Sequence, residues 1–422
     1  MVEGIIVSRA QTDGGADQGG HRRIPREAGS AAASADASMM PMELTSLEIF
    51  AGAGGMALGL ERAGFQHAAL IECDREACAT LRTNAQAAAR WPASAVHEID
   101  ARNFVLADYA GCIDLIAGGV PCQPFSLGGV HKGRDDPRNM FPLLLEAVRV
   151  VEPSAVLVEN VPGLVRPGFL PFFEYVLDQL RLPALVQKDN ETWRDHHRRL
   201  RTALREASPE YIVEWRLFNA ADFGVPQKRR RVFIQAHRRS VTDEIRWPKL
   251  SHSETSLRDA IASGEYHREL GLPLPLPPVA SIPFLLSASS HSRWLTVRDA
   301  LAGLGDPTSE DDGRDHAFVP GARRYAGHTG SILDEPSKTL KAGVHGVPGG
   351  EGTVILDDGS VRYFTVREAA RLQTFPDQYR FAGCRSEKMR QIGNAVAVEM
   401  AAVIGRELHA VLTERFESRV PA

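Results

Sequence analysis

Short, almost wholly apolar runs recur from Leu44 onward, and each gives way to a stretch with helical spacing. Ser46–Phe50 is β-prone and leads through a glycine-rich turn, Ala51–Gly55, into helical Met56–Gly64. Ala68–Ile71 precedes the helix-like Arg75–Ala89, and Asp114–Val120 and Ala155–Val158 are further apolar strands. Strands that are apolar throughout, rather than alternating, and that are separated by helices predict a parallel sheet covered on both faces. The pattern changes after about Ala236. Gly271–Pro278 and Val344–Gly352 are rich in Pro and Gly, and Thr353–Leu356 has the look of hairpin material. Regular helix is predicted again over Met389–Leu412, with Ile392, Val396, Met400, Val403, Ile404, Leu408 and Leu412 at helical spacing, packing back on the first region. The expected organisation is a disordered tail over 1–43, an α/β domain over 44–235, a second, loop- and β-rich domain over 236–383, and a return to the first domain over 384–422.

Composition changes this picture little. The chain has 422 residues, 43% of them apolar and 24% charged, as in ordinary soluble globular proteins. Met1–Ala37 lacks aromatic residues and is rich in Gly, Ala, Ser and Asp, too little apolar surface to offset ordering entropy. It has no charged start followed by an apolar core, so a secretory signal is not expected. Met39, Met40 and Met42, just before the first strand, are candidate starts. Five cysteines in no CxxC pair speak against a disulfide framework or a structural zinc, and no metal is expected. No apolar run is long enough to span a membrane. The formal net charge of −4 taken alone sets nucleic acid aside as a partner.

The motifs reverse that inference. In Leu47-Glu48-Ile49-Phe50-Ala51-Gly52-Ala53-Gly54-Gly55 a strand runs into a turn whose glycines let a ligand approach the backbone. Glu72 ends the next strand, where an acid suits the hydroxyls of a ribose, and Asp100 stands where it could reach an adenine amino group. Each acid is equally a candidate helix cap. Cys122, in Val120-Pro121-Cys122-Gln123-Pro124, sits at the carboxyl end of an apolar strand between two prolines, the position of a nucleophile in an open parallel sheet. Cys73, Cys78, Cys112 and Cys384 are read as bystanders. Glu159, in Val158-Glu159-Asn160-Val161, ends the neighbouring strand as a candidate proton donor. In Gln227-Lys228-Arg229-Arg230-Arg231, alternation sets Gln227, Arg229 and Arg231 on one face and Lys228 and Arg230 on the other.

These segments, in this order, resemble the DNA (cytosine-5) methyltransferase family of bacterial type. The likeness runs from about Leu47 to Gly405 and includes Phe364–Gln373 and Gln391-Ile392-Gly393-Asn394-Ala395-Val396. It implies an α/β fold of the S-adenosylmethionine-dependent methyltransferase (Rossmann-like) kind, a mixed and mostly parallel sheet with a smaller recognition domain. It implies S-adenosylmethionine as cofactor and S-adenosylhomocysteine as product, with Phe50, Gly52, Gly54, Glu72, Asp100 and Asn394 around it. By the same resemblance a flipped-out cytosine in duplex DNA receives Cys122 at carbon 6, Glu159 at nitrogen 3 and Arg231 near its oxygen. Gln227 and Arg229 would support the cleft and are counted with the DNA contacts. Arg134 and Arg138 lie in a Gly- and charge-rich stretch expected to close over DNA. Lys338, Lys341 and His345, in Pro336–Gly346, are candidate backbone or base contacts.

Two departures from the family pattern, Val120 and Ala397, lie away from the chemistry. The stretch Val165–Pro209 is longer and more charged than expected between its flanking motifs, and its Arg-rich part, Arg194–Arg205, is read as a solvated helix rather than an extra phosphate contact. A cytoplasmic, nucleoid-associated monomer is expected, with a cognate restriction endonuclease as a possible partner. The rival of the same fold is a tRNA cytosine-5 methyltransferase. Those relatives carry Cys-Phe-Thr, whereas here Cys384 precedes Arg385 and the only Phe-Thr lies in Tyr363-Phe364-Thr365. An inactive DNA-binding relative would lack Cys122 or Glu159, and a nicotinamide dehydrogenase would need G-x-G-x-x-G.

Overall fold

The apolar runs around Leu47, Leu70, Ile116 and Leu157 become neighbouring strands in a computed structural model. It describes residues 43–88, 91–121, 139–274, 291–309, 313, 315–323, 329–342 and 352–417. The first strands are β1 (Leu44–Ile49), β2 (Phe65–Glu72), β3 (Val96–Glu98), β4 (Leu115–Gly119), β5 (Ala155–Asn160), β6 (Tyr211–Asn219), β7 (Gln227–Lys228) and β8 (Arg230–Arg238). Between them run the helices α1 (Gly55–Arg62), α2 (Arg75–Ala88), α3 (Phe141–Val151), α4 (Leu170–Arg181) and α5 (Trp193–Glu206). Seven strands form one sheet in the order β3-β2-β1-β4-β5-β8-β6. All its pairings from β3 to β5 are parallel, whereas β8 is antiparallel to both β5 and β6. Strand order reverses between β1 and β4, the switch point at which open α/β sheets bind ligands.

The sheet is buried on both faces, which is why its strands read as continuous apolar runs. Leu47, Ile49, Ile116, Val156 and Val158 pack with α3 and α4 on one side. Leu44, Leu115, Ala117 and Leu157 pack with α1 and the last helix on the other. Helix α5 buries His196 and Leu200 and leaves Arg198 and Arg201 with 76% and 60% of their side chains exposed, a solvated helix as expected.

Beyond β8 the chain forms small elements: α6 (Glu254–Ala262), α7 (Glu265–Glu269), α8 (Val297–Leu301) and α9 (Val366–Leu372), with strands β9 (His252–Ser253), β10 (Ser292–Arg293), β11 (Ser331–Ile332), β12 (Ser337–Lys338), β13 (Thr353–Ile355) and β14 (Val361–Tyr363). Strands β13 and β14 are the predicted hairpin, paired antiparallel. Strand β12 pairs with β7, so this region is stitched directly to the basic strand segment. Met42–Ala422 makes one compact unit. Among the described residues no helix is long and apolar enough to cross a membrane.

The predicted C-terminal helix is in fact two, α10 (Arg385–Asn394) and α11 (Val398–Glu417), with a break at Ala395–Ala397. Apolar spacing continues through the break, so periodicity could not reveal it. Tertiary partners take the backbone groups instead: Arg229 Nη2 donates to the carbonyls of Gly393 and Ala395, and Val398 N–H donates to Gln373 O. Helix α11 then lies against α1 at very close range. A Cβ at Gly59 would fall 2.4 Å from Ala401 Cβ and 2.6 Å from Val398 O, the latter a backbone atom. Gly59→Val is therefore expected to lower unfolding free energy by about 1–3 kcal/mol through overpacking. Urea denaturation checks this, and an unchanged midpoint would mean that the two helices do not pack as described.

Candidate functional site

Strand β1 delivers the chain into a turn that only particular residues tolerate. Phe50 has φ of +62°, a left-handed conformation that costs a bulky residue about 1–3 kcal/mol. Gly52 and Gly54 follow at φ +53° and +80°. A Cβ at Gly52 would meet nothing within 4 Å, so the space above it is open. A Cβ at Gly54 would lie 2.7 Å from both Leu81 Cδ2 and Tyr379 Oη, and one at Gly55 would lie 2.2 Å from Val396 O. Tyr379 Oη in turn donates to Ala53 O at 2.7 Å. The turn is thus wedged against α2, Tyr379 and the α10–α11 break, and is free only where Gly52 faces the cavity.

Glu72, at the end of β2, ties this turn to the next. Its Oε2 accepts from Gly52 N–H at 2.8 Å, and its Oε1 accepts from the N–H groups of Cys73 and Asp74, also at 2.8 Å. Asp100 behaves differently. It caps a short turn by accepting from Arg102 N–H, and both its oxygens meet the Arg102 guanidinium. Those bonds hold its carboxyl down at about 2. Asp100 does not belong to the cavity lining, so the capping reading describes it in this conformation.

The cavity occupies about 420 Å³ at the carboxyl ends of β1, β2, β4 and β5. Phe50, Gly52, Glu72 and Cys73 line one end, Gly119, Pro121 and Glu159 the other, with Asn394 on the rim from the helix break. Its size is that of small-molecule sites. A comparable space of about 450 Å³ between α3, α4 and α5 is lined by Phe172, Tyr175 and Trp193 and contains none of the predicted site residues. Of the predicted site residues, Phe50, Gly52, Glu72, Glu159 and Asn394 gather around the first.

Glu159 is 7% exposed. Its Oε1 lies 2.7 Å from Arg231 Nε, yet the contact lacks hydrogen-bond geometry and leaves that buried oxygen without a hydrogen-bond partner. Asn160 Nδ2 donates to Val120 O at 3.2 Å and its Oδ1 accepts from Val161 N–H at 2.8 Å, which fixes the chain entering Pro121. Cys122 itself, with Arg134, Arg138 and His345, lies outside the described residues.

Sequence reasoning missed Glu48. It points from β1 into the same cavity at 1% exposure, and its Oε2 has no hydrogen-bond partner. Burial pushes its carboxyl well above the usual carboxylate range, and the charge of Glu72 adds to the effect. The available signal was an acid inside an otherwise apolar strand.

The expected DNA contacts divide. Gln227 and Arg229 are 0% and 2% exposed, and this corrects their assignment as surface contacts. Gln227 Nε2 donates to Leu372 O and its Oε1 accepts from Leu340 N–H, while Arg229 spends its terminal nitrogens on three backbone carbonyls. They join segments inside the protein and offer no face to a duplex in this conformation. Lys338 is half-buried and donates to Thr329 Oγ1, and Lys341 is exposed. Among the described residues no cluster of side chains could hold a metal ion.

The family described as C-5 cytosine-specific DNA methylase matches residues 44–182, 183–271 and 306–410. Type II methyltransferase M.NgoMIV of Neisseria gonorrhoeae is 32% identical over 372 residues, which are 87% of this chain and 97% of the relative. Type II methyltransferase M.Eco47II of Escherichia coli is 31% identical over 86% of this chain and 78% of its own. Among solved structures, S. pombe Dnmt2 methyltransferase superposes with a TM-score of 0.54 at 18% identity, covering 88% of this chain and 98% of its own. Entamoeba histolytica methyltransferase EhMeth gives 0.54 at 14% identity over 89% and 99%. At such identities these two show the fold alone.

Glu48 keeps its proton in the folded state at pH values where the unfolded chain has lost it. The stability this contributes is complete below about pH 4 and is lost as pH rises toward the raised folded-state value. Glu48→Gln cannot ionise, so its stability relative to the wild type is expected to increase as pH rises above the unfolded-state value of about 4. Chemical denaturation at each pH measures the difference, and a gap independent of pH would show that Glu48 does not titrate as a buried acid.

Proposed function

The chain belongs to the C-5 cytosine-specific DNA methylases, and from that premise we propose that S-adenosylmethionine is its methyl donor and that Cys122, Glu159 and Arg231 act on the target base. The enzyme methylates carbon 5 of cytosine in DNA. The observation that carries the division of labour is the buried Glu159 oxygen without a hydrogen bond, held against Arg231 at the inner end of the cavity. A buried polar atom left unpaired is costly, and a substrate group that satisfies it is bound by the same measure.

Phe50, Gly52, Glu72 and Asn394 would hold the cofactor. The open space over Gly52, the acid Glu72 in the cavity wall and the cavity size all suit a polar nucleoside ligand with a cationic centre. When bound, the cofactor supplies an electrophilic methyl group on a sulfonium sulfur. Asp100, bonded to Arg102, would have to exchange that partner to reach an adenine.

Carbon 5 of cytosine is a weak nucleophile, and the protein's part is to change that. The target base must leave the stack, because its ring edge is inaccessible in a duplex. The Cys122 thiolate forms a bond to carbon 6, and the ring electrons move toward nitrogen 3, where Glu159 donates a hydrogen bond or proton. Arg231 keeps the Glu159 side chain in position. Carbon 5 then carries enamine character. After methylation, loss of the carbon-5 proton returns its electron pair to the ring and expels the thiolate. Asn160, through Val120 O, fixes the entry to the nucleophile's loop.

The type II methyltransferases among its relatives support a restriction–modification setting, with a cognate endonuclease acting on the same site. A cytoplasmic, nucleoid-associated monomer suits that role. The recognition part would comprise the small elements within 236–383, with Lys338 and Lys341 toward the duplex and Arg134, Arg138 and His345 as further contacts. The tRNA reading is not favoured, because the family match is to C-5 cytosine-specific DNA methylases and the curated relatives are type II methyltransferases.

Tritiated methyl transfer from S-adenosylmethionine to duplex DNA and, in parallel, to tRNA is the deciding measurement. Label should enter duplex DNA; label in tRNA alone would overturn the assignment. Cys122→Ser is expected to abolish turnover while S-adenosylhomocysteine binds within a few-fold of wild type. Glu159→Gln should lower kcat by about 10²–10⁴-fold, the usual worth of a positioned acid. Bisulfite sequencing of DNA from expressing cells identifies the site modified.

A further inference from the structure

Both backbone polar groups of a single residue, Leu340, are taken by side chains from one short segment, Gln227–Arg229. Gln227 Oε1 accepts from Leu340 N–H at 3.2 Å, and Arg229 Nη1 donates to Leu340 O at 3.2 Å. The neighbouring residues reinforce the clamp: β12 pairs with β7, and Thr339 Oγ1 donates to Lys228 O at 2.7 Å. Arg229 reaches the other way as well. Its Nη2 donates to Gly393 O at 3.0 Å and to Ala395 O at 2.8 Å, the two carbonyls that flank Asn394. The segments it joins also touch directly, since a Cβ on Gly393 would fall 2.6 Å from Ala342 N and 2.7 Å from the Lys341 carbonyl carbon.

The guanidinium that makes these bonds is planar, rigid and 2% exposed. Desolvation and the charge of Arg231 both work against its own charge, with Glu159 opposing them. No ion pair to Arg229 exists among the described residues, so the three carbonyls are what the buried charge depends on. Moving either segment alone would break hydrogen bonds to a buried cation, which is costly.

We propose that Arg229 is a positioning residue that couples duplex engagement at Pro336–Ala342 to cofactor engagement at Asn394. This rests on the reading given above, in which Asn394 meets the cofactor and Lys338 and Lys341 meet the duplex. The guanidinium fixes the spacing between Leu340 O and the carbonyls on either side of Asn394. A duplex that settles the Pro336–Ala342 segment therefore settles the cavity rim, and by linkage the cofactor strengthens duplex binding by the same factor.

The test measures S-adenosylhomocysteine binding calorimetrically, with and without a saturating duplex that carries the site found by bisulfite sequencing. For the wild type, the duplex is expected to tighten cofactor-product binding by about five-fold or more. In Arg229→Lys one ammonium cannot span both segments, and the factor should fall to about one to two-fold. Gln391→Leu is the control. Gln391 holds α10 from its other side, donating to Ala382 O and accepting from Thr80 Oγ1, with no bond to Leu340. It should lower stability and keep the wild-type factor. A wild type without coupling, an Arg229→Lys protein that retains it, or an equal loss in Gln391→Leu each overturns the proposal. Should Arg229→Lys not fold, hydrogen exchange on the wild type decides. Duplex alone must slow the amides of Gly393–Val396 together with those of Lys338–Ala342, and protection confined to Lys338–Ala342 refutes the link. Affinities for each ligand alone, in Asn394→Ala and in Lys338→Ala with Lys341→Ala, report separately on the underlying reading.

Discussion

The carbonyl of Ala395 receives hydrogen bonds from both Arg229 Nη2 and Gln373 Nε2, and the C-terminal helical run stops there. Buried backbone groups have to be paired, and here two side chains outcompete the helix for them. The consequences spread from that point. The break turns Asn394 to the cavity rim, and it releases α11 at an angle that lets Gly59 and Ala401 meet. It also sets Val396 O against Gly55, which fixes the floor of the glycine turn. Gln373 and Gln227 complete the junction, since Gln227 Nε2 donates to both Leu372 O and Gln373 Oε1. One buried polar knot therefore aligns the cofactor turn, the last helix and the small elements beyond the sheet.

The sheet supplies the other half of the arrangement. Because β1, β2, β4 and β5 run parallel, their carboxyl ends converge on one edge, where a single cavity takes side chains from several of them. Glu48, Glu72 and Glu159 come from three different strands and meet at that edge. Burial, and after it the charge of Glu72, pushes the carboxyl of Glu48 up there. The oxygens of Glu48 and Glu159 that lack a hydrogen bond are a local cost that hydrogen bonds within the protein would remove. They persist where a ligand can satisfy them, and strain at Phe50 is concentrated in the same place.

Much of this was legible along the chain, and the limits have physical causes. Strands buried on both faces announce themselves as apolar runs, so β1, β2, β4 and β5 were all legible, with β4 within a residue at each end and β2 at half its length. The collinear motifs identified the chemistry, because each places a reactive type at a strand end. The helix break was invisible, since Ile392, Val396 and Met400 keep helical spacing across it and the cause lies at Arg229, far away in sequence. Gln227 and Arg229 looked like DNA contacts because a strand pattern tells which face a side chain takes but not what covers that face. Asp100 could be read as ligand or cap for the same reason, and its partner, Arg102, only two residues away, decided it. Glu48 was quoted within its motif and passed over, as an acid in an apolar strand reads as an exception until its burial is known.

Charge bookkeeping is where sequence and structure part most instructively. The run Lys228–Arg231 counts as four positive charges beside a cleft in a chain of net charge −4. Little of that charge is left for a polyanion. Lys228 pairs with Glu335 at 2.9 Å, Arg231 lies against Glu159, and Arg229 is wholly enclosed, which leaves Arg230 exposed. The run is a framework for Glu159 and the junction more than a track for phosphates. What duplex DNA meets is the charge that remains unpaired at the surface, and the salt dependence of binding is set by that remainder. A basic cluster in a sequence is therefore evidence of a nearby anion, but the anion can as well be an internal carboxylate or a set of carbonyl dipoles as a nucleic acid.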